Sequence, residues 1–74
     1  MNNKEDHIVG ITGIIQNVYQ KHQYKVKLSN NHTLFGTLNG KMIKNRIWCY
    51  VGDVVEIELS VYDLKKCRVI KRLT

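Results

Sequence analysis

Apolar and polar residues alternate with a period of two along most of this chain, the pattern of strands half buried against a core. From Ile8 the chain is rich in β-branched residues, with Val9, Ile11, Thr12, Ile14, Ile15 and Val18, and this predicts a long, curved first strand. Gly10 and Gly13 interrupt it at points where a strand bends or bulges. Gln20 to His22 separate that run from Tyr24-Lys25-Val26-Lys27-Leu28, whose strict alternation puts Tyr24, Val26 and Leu28 on one face and both lysines on the other. Asn30-Asn31 predicts a two-residue hairpin turn, because asparagine tolerates positive φ better than other non-glycine residues, and Thr33 to Leu38 supplies the paired strand.

The period breaks at Asn39-Gly40. Lys41 to Arg46 is too short for a helix that stands alone, so a short helical turn or structured loop is expected there. Ile47-Trp48-Cys49-Tyr50 reads as a short strand or as the packed end of that loop, and Gly52-Asp53 as a turn. The clearest alternation follows, with Val55, Ile57, Leu59 and Val61 on one face and Val54, Glu56, Glu58 and Ser60 on the other. After a loop from Tyr62 to Lys66, Cys67 to Leu73 forms the last strand. Lys71 shares a face with Val69 and Leu73, so periodicity leaves the buried face of this strand open.

Five short strands with one interruption between the third and fourth predict an all-β fold, a small closed barrel whose closure removes exposed edges. The five-stranded OB-fold, with its short helical turn between strands 3 and 4, is the economical solution, and an SH3-like barrel is the alternative. At 74 residues there is room for one domain, expected over 8–74 behind a flexible tail over 1–7.

Charge changes the picture. Twelve Lys and Arg against six Asp and Glu give a formal net charge of +6, which calls for a polyanionic partner. No apolar stretch approaches the ~20 residues that span a bilayer, and the cations do not lie on an amphipathic helix, so a membrane is not the expected partner. The polar, acid-containing start, Met1-Asn2-Asn3-Lys4-Glu5-Asp6, lacks the apolar core of a signal peptide. Cys49 and Cys67, 18 positions apart, and His7, His22 and His32 show no zinc spacing, so no metal is expected. Free thiols in a reducing compartment fit two cysteines better than a disulfide. Glu56 and Glu58 share a strand face but have no acid partner elsewhere, and no nucleophile-and-base pair stands out; the chain reads as a binding module that needs no cofactor.

The basic residues concentrate in Gly40-Lys41-Met42-Ile43-Lys44-Asn45-Arg46 and Tyr62-Asp63-Leu64-Lys65-Lys66-Cys67-Arg68, which with Arg72 hold seven of the twelve. In the order Gly40-Lys41-Met42-x-Lys44-Asn45, Gly52-Asp53, Tyr62-Asp63-Leu64-x-Lys66-x-Arg68, the chain resembles the bacterial-type translation initiation factor one family. Lys4-Glu5-Asp6, Gly13, Val26, Leu28, Asn30, His32 and Arg72 extend the likeness over nearly the whole length. The resemblance implies an OB-fold that binds the small ribosomal subunit at the decoding (A) site. There it would touch rRNA and a neighbouring ribosomal protein, help exclude elongator tRNA and act alongside initiation factors two and three. It further implies a factor of protein biosynthesis, monomeric when free, in a bacterial cytoplasm or an organelle matrix or stroma. Ile43 and Trp48 stand where family members commonly carry basic residues, Arg46 where an aromatic is common, and Cys67 where glycine is typical.

On these grounds the candidate RNA-binding residues are Lys41, Lys44, Arg46, Trp48, Tyr62, Lys65, Lys66, Arg68 and Arg72. The cations would neutralise phosphates, and Arg68 and Arg72, four apart on a strand, are expected on one side. Trp48 and Tyr62 are placed to stack on unpaired bases, against the plainer reading of rim packing. Asp63 is expected to brace its own loop as an Asx turn, and His32 to be a surface turn residue. The competing reading is a single-stranded RNA-binding chaperone of cold-shock type, which would display several aromatics on strands 2 and 3; here those strands carry only Tyr24 and Phe35, on opposite faces.

Overall fold

The computed structural model describes residues 7–20 and 23–74. Five strands, β1 (His7–Gln20), β2 (Gln23–Leu28), β3 (Thr33–Leu38), β4 (Val54–Ser60) and β5 (Asp63–Arg72), close into a barrel in the order β1-β2-β3-β5-β4, with helix α1 (Gly40–Lys44) between β3 and β4. This is the expected five-stranded OB-fold barrel. The tail expected over 1–7 lies outside the described residues except at His7, whose backbone already pairs with Ser60. The separator at Gln20 to His22 likewise falls outside them beyond Gln20, which closes β1.

The alternation seen in the sequence faces the core as predicted in β2 and β4, where Tyr24, Val26, Val55, Ile57 and Leu59 are buried and Leu28 half-buried, and β3 adds Leu34 and Leu38. Val61 is the exception, an exposed turn residue beyond the end of β4. β1 joins both halves of the barrel, pairing with β2 through its second half and with β4 through its first. Gly10, at φ 81, sits in a bulge between Ile8 and Ile11, as its position suggested. Gly13 serves closeness instead of bending: a Cβ there would stand 2.5 Å from Val26 Cγ1.

The hairpin between β2 and β3 departs from the two-residue expectation. Asn31 N–H donates to Leu28 O and Leu28 N–H to His32 O, so three residues, Ser29, Asn30 and Asn31, make the loop. It is a turn followed by one left-handed residue, Asn31 at φ 67, which is the standard geometry for a hairpin of this length. Asn30 Oδ1 accepts the His32 N–H at 2.9 Å, which fixes His32 as an exposed turn residue.

β5 corrects the reading of the last strand twice. It begins at Asp63, not Cys67, because Asp63 pairs with Ser60 of β4 and Lys66 pairs in parallel with Phe35 of β3; toward β4, Leu64 to Lys66 go unpaired, since the next pair after Ser60 with Asp63 is Leu59 with Cys67. A bulge at Ile70 then shifts the phase, so that Val69 faces Ile57 inside while Lys71 faces Glu56 outside. That shift resolves the open question about Lys71.

Tyr24 holds the core to the long loop that follows α1. Its ring is fully buried and its hydroxyl accepts the Cys49 N–H at 3.2 Å. Ile47 to Tyr50 is therefore the packed end of the loop, with Cys49 buried and Trp48 half-buried against the core. Tyr24→Phe would leave a buried N–H without its acceptor, and roughly 1–3 kcal/mol of stability should be lost in urea unfolding, with the strand signature of the circular dichroism spectrum retained.

Cys49 and Cys67 are buried free thiols. Burial raises Cys49, and the Asp53 carboxylate adds to the effect, while desolvation alone pushes Cys67 up to about 11. An unfolded chain ionises such a thiol near 9.0, whereas the folded chain keeps the proton to about 11. The folded state thus binds more protons in between, and its stability declines as pH climbs from about 9 toward 11. Denaturant titrations across that window should show the decline, and Cys67→Ala should make it shallower.

Candidate RNA interface

The first basic stretch is displayed by a tightly closed turn of helix. Asn39 is the N-cap, its Oδ1 accepting the Met42 N–H at 2.8 Å and its carbonyl accepting the Ile43 N–H. Met42 is the helix's buried residue and pins it to the barrel. At the other end Arg46 N–H donates to Ile43 O and Ile47 N–H to Met42 O, the paired bonds of a Schellman stop. That stop places Arg46 in the left-handed region at φ 57, where glycine is the usual occupant. Lys41, Lys44 and Arg46 are all exposed, and so is Ile43 beside them.

The second stretch opens β5. Asp63 Oδ1 accepts the Lys65 N–H at 3.1 Å, the bracing expected of it, and the Ser60 hydroxyl accepts the Tyr62 N–H at 3.2 Å. Tyr62 is 79% exposed. Lys65, Lys66 and Arg68 are exposed as well. Cross-strand pairing aligns Lys66 with Phe35 and Arg68 with Thr37. Arg68 also approaches Glu58 at 4.0 Å, a weak surface pair.

Because β3 and β5 run parallel, α1 follows the end of β3 while the Tyr62 turn precedes the start of β5. The two basic stretches therefore lie at opposite ends of one strand pair. Val69, the partner of Leu38, lies three positions on from Lys66, a rise of about 10 Å. Arg68 lies on that path between them.

Arg72 is set apart from this group. The bulge at Ile70 carries it onto the phase of Val55, opposite in sense to Arg68, so the two arginines do not share a side as their spacing suggested. Arg72 Nε lies 3.2 Å from Asp53 Oδ2, and its guanidinium sits 5.8 Å from the Tyr50 ring centroid. Asp53 also accepts the Tyr50 N–H at 2.8 Å and lies 3.4 Å from the Thr74 hydroxyl. Arg72 thus ties the loop after α1 to the end of the chain. Trp48 is half-buried and shares its surface between core and solvent.

The acids among the described residues explain why the field is one-sided. Asp53 is engaged by Arg72, Glu56 faces Lys71, Glu58 faces Arg68, and Asp63 is turned onto backbone. None of them lies on α1 or the residues that cap it.

Sequence reading missed one feature of this surface. Tyr24 is buried, so Phe35 is the aromatic that β2 and β3 expose, but Tyr19 of β1 stacks on it with ring centroids 5.9 Å apart and planes at 21°. No signal in the alternation of β1 could have joined residues 19 and 35, because two bulges change its phase before Tyr19 is reached.

Comparison with known proteins agrees with this architecture. The family described as Translation initiation factor 1A / IF-1 matches residues 3–74. Translation initiation factor IF-1 of Rickettsia akari (strain Hartford) is 40% identical over 68 residues, covering 92% of this chain and 96% of that protein. The corresponding protein of Rickettsia felis (strain ATCC VR-1525 / URRWXCal2) is 37% identical over the same length. The solution structure of the translation initiation factor of the same name from the Wolbachia endosymbiont strain TRS of Brugia malayi superposes with a TM-score of 0.77 at 29% identity, covering 99% of this chain and 85% of that one. With its barrel, its capped turn after β3 and its match over residues 3–74, the chain belongs to the translation initiation factor 1A / IF-1 family.

Proposed function

We propose that this initiation factor binds the small ribosomal subunit at the decoding (A) site, in a bacterial cytoplasm or its organellar equivalent, and works by occupancy. Cations at the two ends of the β3–β5 pair neutralise rRNA phosphates while the rigid barrel fills the site beside a ribosomal protein and assists assembly of the initiation complex with initiation factors two and three. Lys41, Lys44 and Arg46 from the capped turn, and Lys65, Lys66 and Arg68 from β5, make the phosphate contacts. Tyr62 and the exposed part of Trp48 offer ring surface to unpaired bases, and Arg72 braces the loop that carries Trp48. No bond is made or broken, so the function requires only shape and charge.

The observation that carries this reading is Arg46. An L-residue in the left-handed region costs roughly 1 kcal/mol against glycine, and its side chain is exposed and meets no acid among the described residues. The left-handed backbone closes α1, but that stop calls for glycine and not for a long cation, and an exposed arginine kept there at a cost is expected where its side chain is held for a partner.

Two measurements follow. Cosedimentation with purified small subunits, competed by a known decoding-site ligand, should show binding whose logarithm falls with log salt at a slope of about −4 if six phosphates are met; salt-indifferent binding, or binding that the ligand does not displace, would refute the reading. Arg46→Gly should raise unfolding stability by about 1 kcal/mol yet weaken subunit binding and flatten the salt slope by about 1. A gain in stability with unchanged affinity would make Arg46 a mere surface residue.

A further inference from the structure

The surface carries more than phosphate contacts. Cross-strand pairing arranges the outward side chains of the barrel in rows, one of them Asn17, Lys25, Phe35 and Lys66 across β1, β2, β3 and β5. The adjoining row runs Gln23, Thr37, Arg68 and Glu58. Phe35 therefore has a lysine directly opposite it on both neighbouring strands, and Arg68 one row away. Tyr19 joins from outside these rows. Val18 pairs with Tyr24 and Gln20 with Gln23, which leaves Tyr19 as the extra residue of a bulge, and bulges re-aim side chains. Its ring reaches across β2 to stack on Phe35, yet Tyr19 and Phe35 remain 52% and 41% exposed.

We infer that the Tyr19–Phe35 stack, flanked by Lys25, Lys66 and Arg68, is a second RNA subsite, a platform on which an unpaired base of a single strand stacks while these cations hold the adjoining phosphates. Two nearly parallel rings in solvent offer π-surface to any base, a mode that tolerates sequence because every base has such a face. The neighbours decide the occupant. An apolar peptide would need an apolar rim, whereas this stack is bordered by Asn17, Lys25, Thr37, Lys66 and Arg68, and the acid of these rows, Glu58, sits at the far end beside Arg68. The inference rests on the RNA-binding reading only in sharing Lys66 and Arg68, since the platform lies on the strand face and not on α1 or the Tyr62 turn. It would let the factor hold a looped-out nucleotide alongside its phosphate contacts.

The test uses the full-length protein and a short oligouridylate, with an abasic oligomer of equal length as control. Binding of the oligouridylate should move the Tyr19 and Phe35 ring proton resonances upfield, and the abasic oligomer should bind more weakly without moving them. The double variant Tyr19→Leu with Phe35→Leu keeps apolar cover but removes the rings, and it should bind oligouridylate roughly tenfold more weakly. Lys41→Glu with Lys44→Glu, which alters α1 alone, should weaken oligouridylate and abasic oligomer alike, through charge, and so keep the ratio between them while weakening subunit cosedimentation. Equal binding of the two oligomers, or of parent and leucine variant, would overturn the platform. Failure of the parent to bind small subunits, with these oligonucleotide results intact, would instead count against the decoding-site reading alone.

Discussion

The barrel depends on one strand serving two sheets. β1 pairs with β2 and with β4, and at Gly13 and Ile14 it does both at once, Gly13 facing Leu28 on one side and Val55 on the other. Strands can converge there only if nothing fills the space between, and Gly13 leaves that space to Val26, which a Cβ would meet at 2.5 Å. Closure follows from this contact, and closure fixes the positions of β3 and β5, from which the basic stretches are displayed.

Bulges then decide what each strand shows. A regular strand would alternate strictly, and its sequence would tell every side chain's direction. Here β1 shifts phase at Gly10, Gln16 and Tyr19, and β5 shifts at Ile70 and slips past β4 over Leu64 to Lys66. Part of the proposed RNA surface sits at these irregularities. Lys65 and Lys66 lie where β5 is unpaired with β4, Arg72 is turned away from Arg68 and onto Asp53, and Tyr19 is released to meet Phe35.

Electrostatics and packing divide the work. The core is apolar apart from Tyr24 and the two thiols, and burial disfavours the thiolate of both. The acids among the described residues lie on β4, just before it at Asp53 and at the start of β5, where they meet Arg68, Lys71, Arg72 or backbone. The cations of α1 are left facing solvent with no acid among the described residues on that helix or its caps, a charge balance that favours a polyanion there.

Much of this was legible in the chain itself. The alternation of Tyr24 to Leu28 and of Val54 to Ser60 determined two core faces, because apolar residues spaced by two can be buried only on one side of a strand. Asn39-Gly40 marked the break before α1, and the ordered motifs around Lys41 and Asp63 pointed to the family. Only the tertiary structure decided that β5 starts at Asp63, that Arg68 and Arg72 point in opposite senses, that Arg46 is held at a left-handed stop, and that Tyr19 covers Phe35. The reason is physical: a strand's periodicity is a local property of the backbone, whereas the placement of bulges and the meeting of residues from β1 and β3 are set by how five strands must curve to close one small barrel.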